Sequence, residues 1–158
     1  TIFNTNVNNL IEYDMGTFSY TQATNSRKSQ GIEFEGRWLA SDIISVDGSY
    51  AYVDAKTGTE VAARVPGHDL SLSISANISP KINSNLEINH IMDYKDTVSG
   101  SLVAMPDYTV TNLAVSYDMT NNLLGYVRIQ DLMDTDYETV KDFNTGGRQI
   151  FAGIRATF

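Results

Sequence analysis

Three aspartates, Asp131, Asp134 and Asp136, fall within one short stretch and offer the carboxylate oxygens that a hard cation prefers. Their spacing is not that of an EF-hand loop, and solvated acids in a polar loop are the plainer explanation. They remain weak candidates, and no metal or cofactor is expected. His68 stands beside Pro66 and Gly67, His90 lies in a different segment, and nothing in the spacing pairs them as metal ligands. Cysteine is absent, which removes disulfides, thiolate sites and thiol nucleophiles. Serines are plentiful, but no spacing supports a Ser-His-Asp arrangement. The residues therefore point away from bond-making chemistry and toward binding. Tyr13, Phe18, Tyr20 and Phe143 lie in polar stretches, where aromatic side chains either anchor a bound molecule or pack one loop against another.

The elements that must carry these residues are strands. From Arg148 to Phe158 the chain alternates, with Ile150, Ala152, Ile154 and Ala156 on one face and Gln149, Phe151, Gly153, Arg155 and Thr157 on the other. The clearest alternation runs from Asp69 to Ile78, where Leu70, Leu72, Ile74, Ala76 and Ile78 oppose Ser71, Ser73, Ser75 and Asn77. Similar segments occupy 31–38, 43–53, 85–94, 108–119 and 123–130, and a weaker one occupies 1–11, giving eight strands. The fold expected is all-β and antiparallel. Short links near 39–42, 79–84 and 120–122 alternate with long ones near 13–28, 54–68, 95–107 and 131–147. A tilted strand needs about 9–11 residues to cross a bilayer, and outer-membrane barrels join such strands by short periplasmic turns and long extracellular loops. On that pattern the segment is a transmembrane β-barrel wall, with all four long loops on the extracellular side. Trp38, Tyr50, Tyr52, Tyr94, Tyr117 and Phe158 fall near strand ends, where an interfacial aromatic girdle belongs.

Composition narrows the alternatives. A net charge of −8 opposes contact with nucleic-acid phosphates. No apolar run reaches the roughly 18 residues of a transmembrane helix. The opening Thr1-Ile-Phe-Asn-Thr-Asn is not a signal peptide, so an exported chain is expected to have residues upstream of Thr1. A soluble β-sandwich would also alternate, but Glu33, Glu35 and Arg37 on one face of a single strand are costly in a dry core. In a barrel they face the lumen, together with Arg128 and Arg155, either as a charge network or against whatever fills the lumen.

Several segments resemble the carboxyl-terminal part of TonB-dependent outer-membrane receptors, with the nearest likeness to the vitamin B12 (cobalamin) transporter branch. They are Phe3-Asn-Thr-Asn-Val-Asn-Asn-Leu-Ile11, Ser29-Gln-Gly-Ile-Glu-Phe-Glu35, Tyr50-Ala-Tyr-Val-Asp-Ala55, Arg64-Val-Pro-Gly-His68, Asp131-Leu-Met-Asp-Thr-Asp-Tyr-Glu138 and Gly146-Gly-Arg148 leading into Phe158. Each is short; their order along nearly the whole chain is what is specific. The resemblance implies that residues 1–158 supply the last eight strands of a plugged barrel of about 22, in the outer membrane of a Gram-negative bacterium. Its implied partners are outer-membrane lipid, the remaining strands and the plug domain, TonB through a missing amino-terminal region, the barrel-assembly machinery, and a small-molecule ligand, either cobalamin or a siderophore. The resemblance also makes Phe158, with Ala156 and Ile154 on its face, the signal read during barrel assembly. Two other classes stay open. One is a free-standing eight-stranded barrel with a structural or adhesive role, and the less favoured is an outer-membrane barrel enzyme.

Overall fold

Alternation of one apolar and one polar face dictates sheets, and the computed structural model, which describes residues 1–14 and 16–158, contains strands and no helix among those residues. Strand β1 (Ile2–Val7) is followed by a small hairpin, β2 (Ile11–Asp14) and β3 (Ser19–Gln22). Two long strands, β4 (Arg27–Leu39) and β5 (Ile44–Thr57), come next, and the short β6 (Glu60–Val61) folds back on β5. Then come β7 (His68–Ser79) and β8 (Ile82–Met92), a hairpin of β9 (Lys95–Val98) and β10 (Ser101–Ala104), and the pair β11 (Tyr108–Thr120) and β12 (Leu123–Gln130). A last hairpin, β13 (Glu138–Val140) and β14 (Phe143–Asn144), precedes β15 (Gln149–Ala156).

The main sheet is a meander in the order β1-β4-β5-β7-β8-β11-β12-β15, every neighbour antiparallel. Those eight strands correspond to the eight expected from alternation. Polar side chains close the short turns. Ser79 Oγ accepts from the backbone N–H of Ile82 at 3.1 Å, and Thr120 Oγ1 from that of Asn122 at 3.3 Å, the local capture that favours Ser and Thr in turns.

Register shows what each face is for. One row across the sheet reads Phe34, Tyr50, Leu70, His90 and Thr109, and another Trp38, Val46, Ile74, Leu86, Leu113, Ile129 and Ile150. On the opposite face, Ser45, Ser75, Asn85, Ala114, Arg128 and Phe151 lie side by side. The apolar face is bare: Trp38 is 66% exposed, Phe34 69% and Ile154 67%. Water would not tolerate such a surface over a whole sheet, whereas lipid covers it, as on the outer band of a membrane barrel. Among the described residues the buried apolar side chains Ala55, Ala62 and Met105 all lie toward the long-loop end.

The sheet does not close. β1 and β15 each pair on one side only, and in hydrocarbon an unpaired edge leaves N–H and C=O groups unsatisfied. The chain ends beside the last short turn, where Thr157 N–H donates to Asn122 O at 3.0 Å and Asn122 Nδ2 to Thr157 O at 3.0 Å. Phe158 lies beyond β15 and is fully exposed. Tyr94 departs from the girdle expectation: β8 stops at Met92, Asp93 takes φ +53°, and the Tyr94 hydroxyl donates to Thr139 O at 2.8 Å.

Candidate functional site: the loop layer and the polar wall

The long-loop end is built rather than loose, because three of its four loops carry their own hairpins. In the first hairpin Tyr13 pairs directly with Tyr20, and their rings meet edge to face with centroids 5.3 Å apart. Asp14 shapes the turn between them. Its Oδ1 accepts from the Gly16 N–H at 2.8 Å and its Oδ2 from Thr17 Oγ1 at 2.8 Å; these bonds, the Gly16 N–H first, hold its carboxyl below the usual carboxylate range. Phe18, at φ +50°, is 78% exposed and Tyr20 76%. The hairpin thus presents aromatic surface to the outside while half of Tyr13 is spent on its neighbour. Phe143, also exposed, sits on the separate β13–β14 hairpin.

The other three loops are fastened together by one carboxylate. Among the described residues Asp96 is the most deeply buried side chain, 1% exposed. It accepts from Arg64 Nε at 2.7 Å, from its neighbour Thr97 N–H at 2.8 Å and from Lys141 N–H at 2.8 Å. Those donors belong to the second, third and fourth loops. The Arg64 guanidinium, then the two amides, hold the Asp96 carboxyl well below its ordinary value, at about 2. Backbone bonds reinforce the joint: Arg64 N–H to Lys95 O at 2.7 Å and Met105 N–H to Tyr94 O at 2.9 Å. Tyr108 stacks on Tyr137 with centroids 4.5 Å apart, tying the fourth loop to the start of β11. Asp96 had no distinguishing signal in the sequence, where it is one loop acid among Asp93, Asp107 and the rest.

The acids that did stand out serve the backbone separately. Asp131, buried and at φ +50°, accepts the Thr135 N–H on Oδ1 at 3.0 Å, while its Oδ2 is buried without a hydrogen-bond partner. Asp134 Oδ1 accepts the Arg148 N–H at 2.8 Å, which fixes the turn at Gly147 (φ +62°) into β15. Asp136 is exposed. Among the described residues no three His, Asp or Glu side chains converge as metal ligands. His68 instead meets the Tyr50 hydroxyl at 2.7 Å through Nδ1, and His90 meets Thr109 Oγ1 at 2.8 Å.

Below the loops, the polar face is a wall of short amides and hydroxyls. Asn85 Nδ2 donates to Ser73 Oγ at 2.8 Å and Ser75 Oγ at 3.0 Å, Ser71 Oγ to Asn89 Oδ1 at 2.8 Å, and Asn112 Nδ2 to Glu87 Oε2 at 3.2 Å. The expected charge network does not form as one unit. Arg37 pairs with its cross-strand neighbour Asp47, and Arg128 lies over the Phe151 ring, 4.7 Å from its centroid. Register explains the split, because β4 and β12 are separated by four strands and charges on them are beyond reach of each other.

An unclosed antiparallel meander, apolar and bare on one face, polar on the other, and capped at one end by interlocked loops, is the wall of an outer-membrane β-barrel. The chain belongs to the family described as TonB dependent receptor-like, beta-barrel, whose model matches residues 1–144, and so to the outer membrane of Gram-negative bacteria. The family is one of receptors and transporters. Among curated relatives, the metal-pseudopaline receptor CntO of Pseudomonas aeruginosa is 25% identical over 140 residues, covering 82% of this chain and 20% of that receptor. Among solved structures, the pyoverdine outer-membrane receptor FpvA from Pseudomonas aeruginosa PAO1, bound to pyoverdine, superposes with a TM-score of 0.83 at 19% identity, over 99% of this chain and 26% of that one. The ferric-catecholate import receptor Fiu from K12 E. coli gives 0.76 at 19% identity, over 99% and 24%. The chain therefore spans only about a fifth to a quarter of the proteins it resembles.

Proposed function

We propose that residues 1–158 form the carboxyl-terminal wall and four extracellular loops of a TonB-dependent importer of metal chelates, a ferric siderophore first among them. The observation that carries this reading is the interlocked loop layer, with exposed aromatics at its rim, standing over a hydrogen-bonding polar wall. Such a surface suits a solute that is captured whole and passed inward, with no bond made or broken. The names of the relatives, which speak of pyoverdine, ferric catecholate and metal-pseudopaline, support a metal chelate. Cobalamin is the second reading, favoured by the order of the segments that resemble its transporter branch. The open edges of β1 and β15 support completion by further strands, with a plug filling the lumen, and weigh against a free-standing small barrel, which would pair them with each other.

Uptake by cells whose only such receptor is the full-length protein separates the ligands. Accumulation of a radioiron-loaded siderophore, but not of labelled cyanocobalamin, is the expected result; the reverse would establish the cobalamin reading, and neither would sink both. In the same receptor, replacing Tyr13, Phe18 and Tyr20 together by Ala is expected to weaken equilibrium ligand binding by on the order of tenfold, as lost aromatic anchors do. Replacing Phe143 should cost less, since it stands alone. Affinity unchanged in the triple variant would return these rings to a loop-packing role.

Phe158, with Ile154 and Ala156 on its face, is assigned to assembly. It stands just beyond the last ladder pair of the edge strand β15, where that strand ends. Deleting Phe158 is therefore expected to reduce the amount of full-length receptor in the outer membrane several-fold while leaving the affinity of the assembled fraction unchanged. Equal surface levels in quantitative blots of isolated outer membranes would contradict it.

A further inference from the structure

The lipid-facing side changes character sharply at the extracellular end of β1, β4 and β5. The row Ile2, Ile32 and Tyr52 is apolar; the next row outward is Asn4, Gln30 and Asp54, and the one beyond is Asn6, Lys28 and Lys56. These last six residues line one shallow concavity. Lys28 and Lys56 are direct cross-strand partners, an arrangement of like charges that destabilises a sheet unless an anion lies between them. The single carboxylate in the group does not neutralise the pair. Asp54 Oδ2 takes a bond from Lys56 Nζ at 3.1 Å and another from Gln30 Nε2 at 3.2 Å, whereas among the described residues no carboxylate pairs with Lys28.

Position identifies what could supply the anion. Two row spacings along a strand are about 13 Å, or about 9 Å along the membrane normal for a strand tilted near 45°. That carries the lysines from the last apolar row into the headgroup layer, and their flexible stems can bend back toward it. The amides of Asn4, Asn6 and Gln30 beside them offer both donors and acceptors, as sugar hydroxyls require. We propose that this concavity binds the phosphorylated sugar headgroup of an outer-leaflet glycolipid, with Lys28 and Lys56 sharing a phosphate. It rests on the outer-membrane orientation argued above, yet is independent of which solute the receptor imports.

The test uses the full-length receptor, purified in detergent and stripped of lipid, with bisphosphorylated lipid A added and binding read by native mass spectrometry. The double variant Lys28→Gln, Lys56→Gln is expected to retain on the order of tenfold less lipid A, and the wild-type protein to bind dephosphorylated lipid A no better than that variant. Lys28→Arg with Lys56→Arg keeps both charges and should retain binding. Lys81→Gln, at the opposite membrane surface, should have no effect. Unshifted heat-modifiable gel mobility reports that each variant is folded, and unchanged siderophore uptake would show that the import reading stands apart from this site. Equal lipid A binding by wild type and the double glutamine variant would overturn the proposal, as would an equal loss from Lys81→Gln. Inorganic phosphate held as tightly as lipid A would overturn the lipid as its source.

Discussion

Replacing Asp96 by Ala is expected to release three of the four long loops at once while leaving the barrel wall intact. The carboxylate is the common acceptor for Arg64 Nε, Thr97 N–H and Lys141 N–H, so its removal takes the shared partner from all three bonds at once. Lys141 N–H is the most sensitive reporter, since its bond to Asp96 joins residues 45 apart in sequence. Its amide hydrogen exchange should accelerate on the order of tenfold or more, together with that of Thr97, with the ladder amides of β7 and β8 unchanged. Asp96→Asn keeps the shape but turns one acceptor into a donor, so it should fall between wild type and Ala. Acid should reproduce the effect in the unmodified receptor, read as lost protection relative to the intrinsic exchange rate at each pH. The folded carboxyl lies near 2, below its ordinary value of 3.8, so its contribution to loop order is complete above about pH 4. That contribution fades as pH falls toward 2, because below both values the folded and open states bind the same proton. Exchange at Lys141 that ignores both the substitution and acid would remove Asp96 from this role.

The barrel wall was legible in the sequence because a sheet with lipid on one side and a wet lumen on the other imposes period two on every strand. Leu70 to Ile78 against Ser71 to Asn77 needed no tertiary information. Strand ends were less legible: β5 continues to Thr57 and β4 begins at Arg27, since above the lipid both faces meet water and alternation disappears while the ladder continues. The β9–β10 hairpin is hidden for the same reason. Asp131 and Asp134 suggested a cation by proximity, but each is consumed by a nearby amide, which sequence spacing does not distinguish from ligation. Asp96 was illegible because its partners come from loops brought together only by the meander. Tyr94 looked like the end of a strand, yet the left-handed turn at Asp93 sends its hydroxyl to another loop.

Within the wall, the largest expected loss comes from a residue with no side chain. Gly31 sits in β4 opposite Phe3 of β1 and Val53 of β5, and a Cβ placed on it would collide with the Tyr52 carbonyl oxygen and lie 2.7 and 2.9 Å from two carbons of the Phe3 ring. The ring can rotate, but the carbonyl is fixed in the backbone of β5 beside its β4 partner. Gly31→Ala is therefore expected to destabilise the assembled receptor by about 1–3 kcal/mol, the usual range for overpacking, and Gly31→Val by more. Gly36, on the lipid face of the same strand, provides the contrast: its Cβ would meet only the Phe34 ring, at 3.6 Å. There Ala should be neutral or stabilising by a few tenths of a kcal/mol, because it narrows the unfolded ensemble without a clash. Adding Phe3→Ala to Gly31→Ala should restore only part of the loss, since it removes the ring and not the carbonyl. Urea midpoints from heat-modifiable gel mobility of the full-length receptor measure all four proteins. A Gly31→Ala midpoint equal to that of Gly36→Ala would show that β4 and β5 separate there without cost, and a full rescue by Phe3→Ala would shift the constraint from the backbone to the ring.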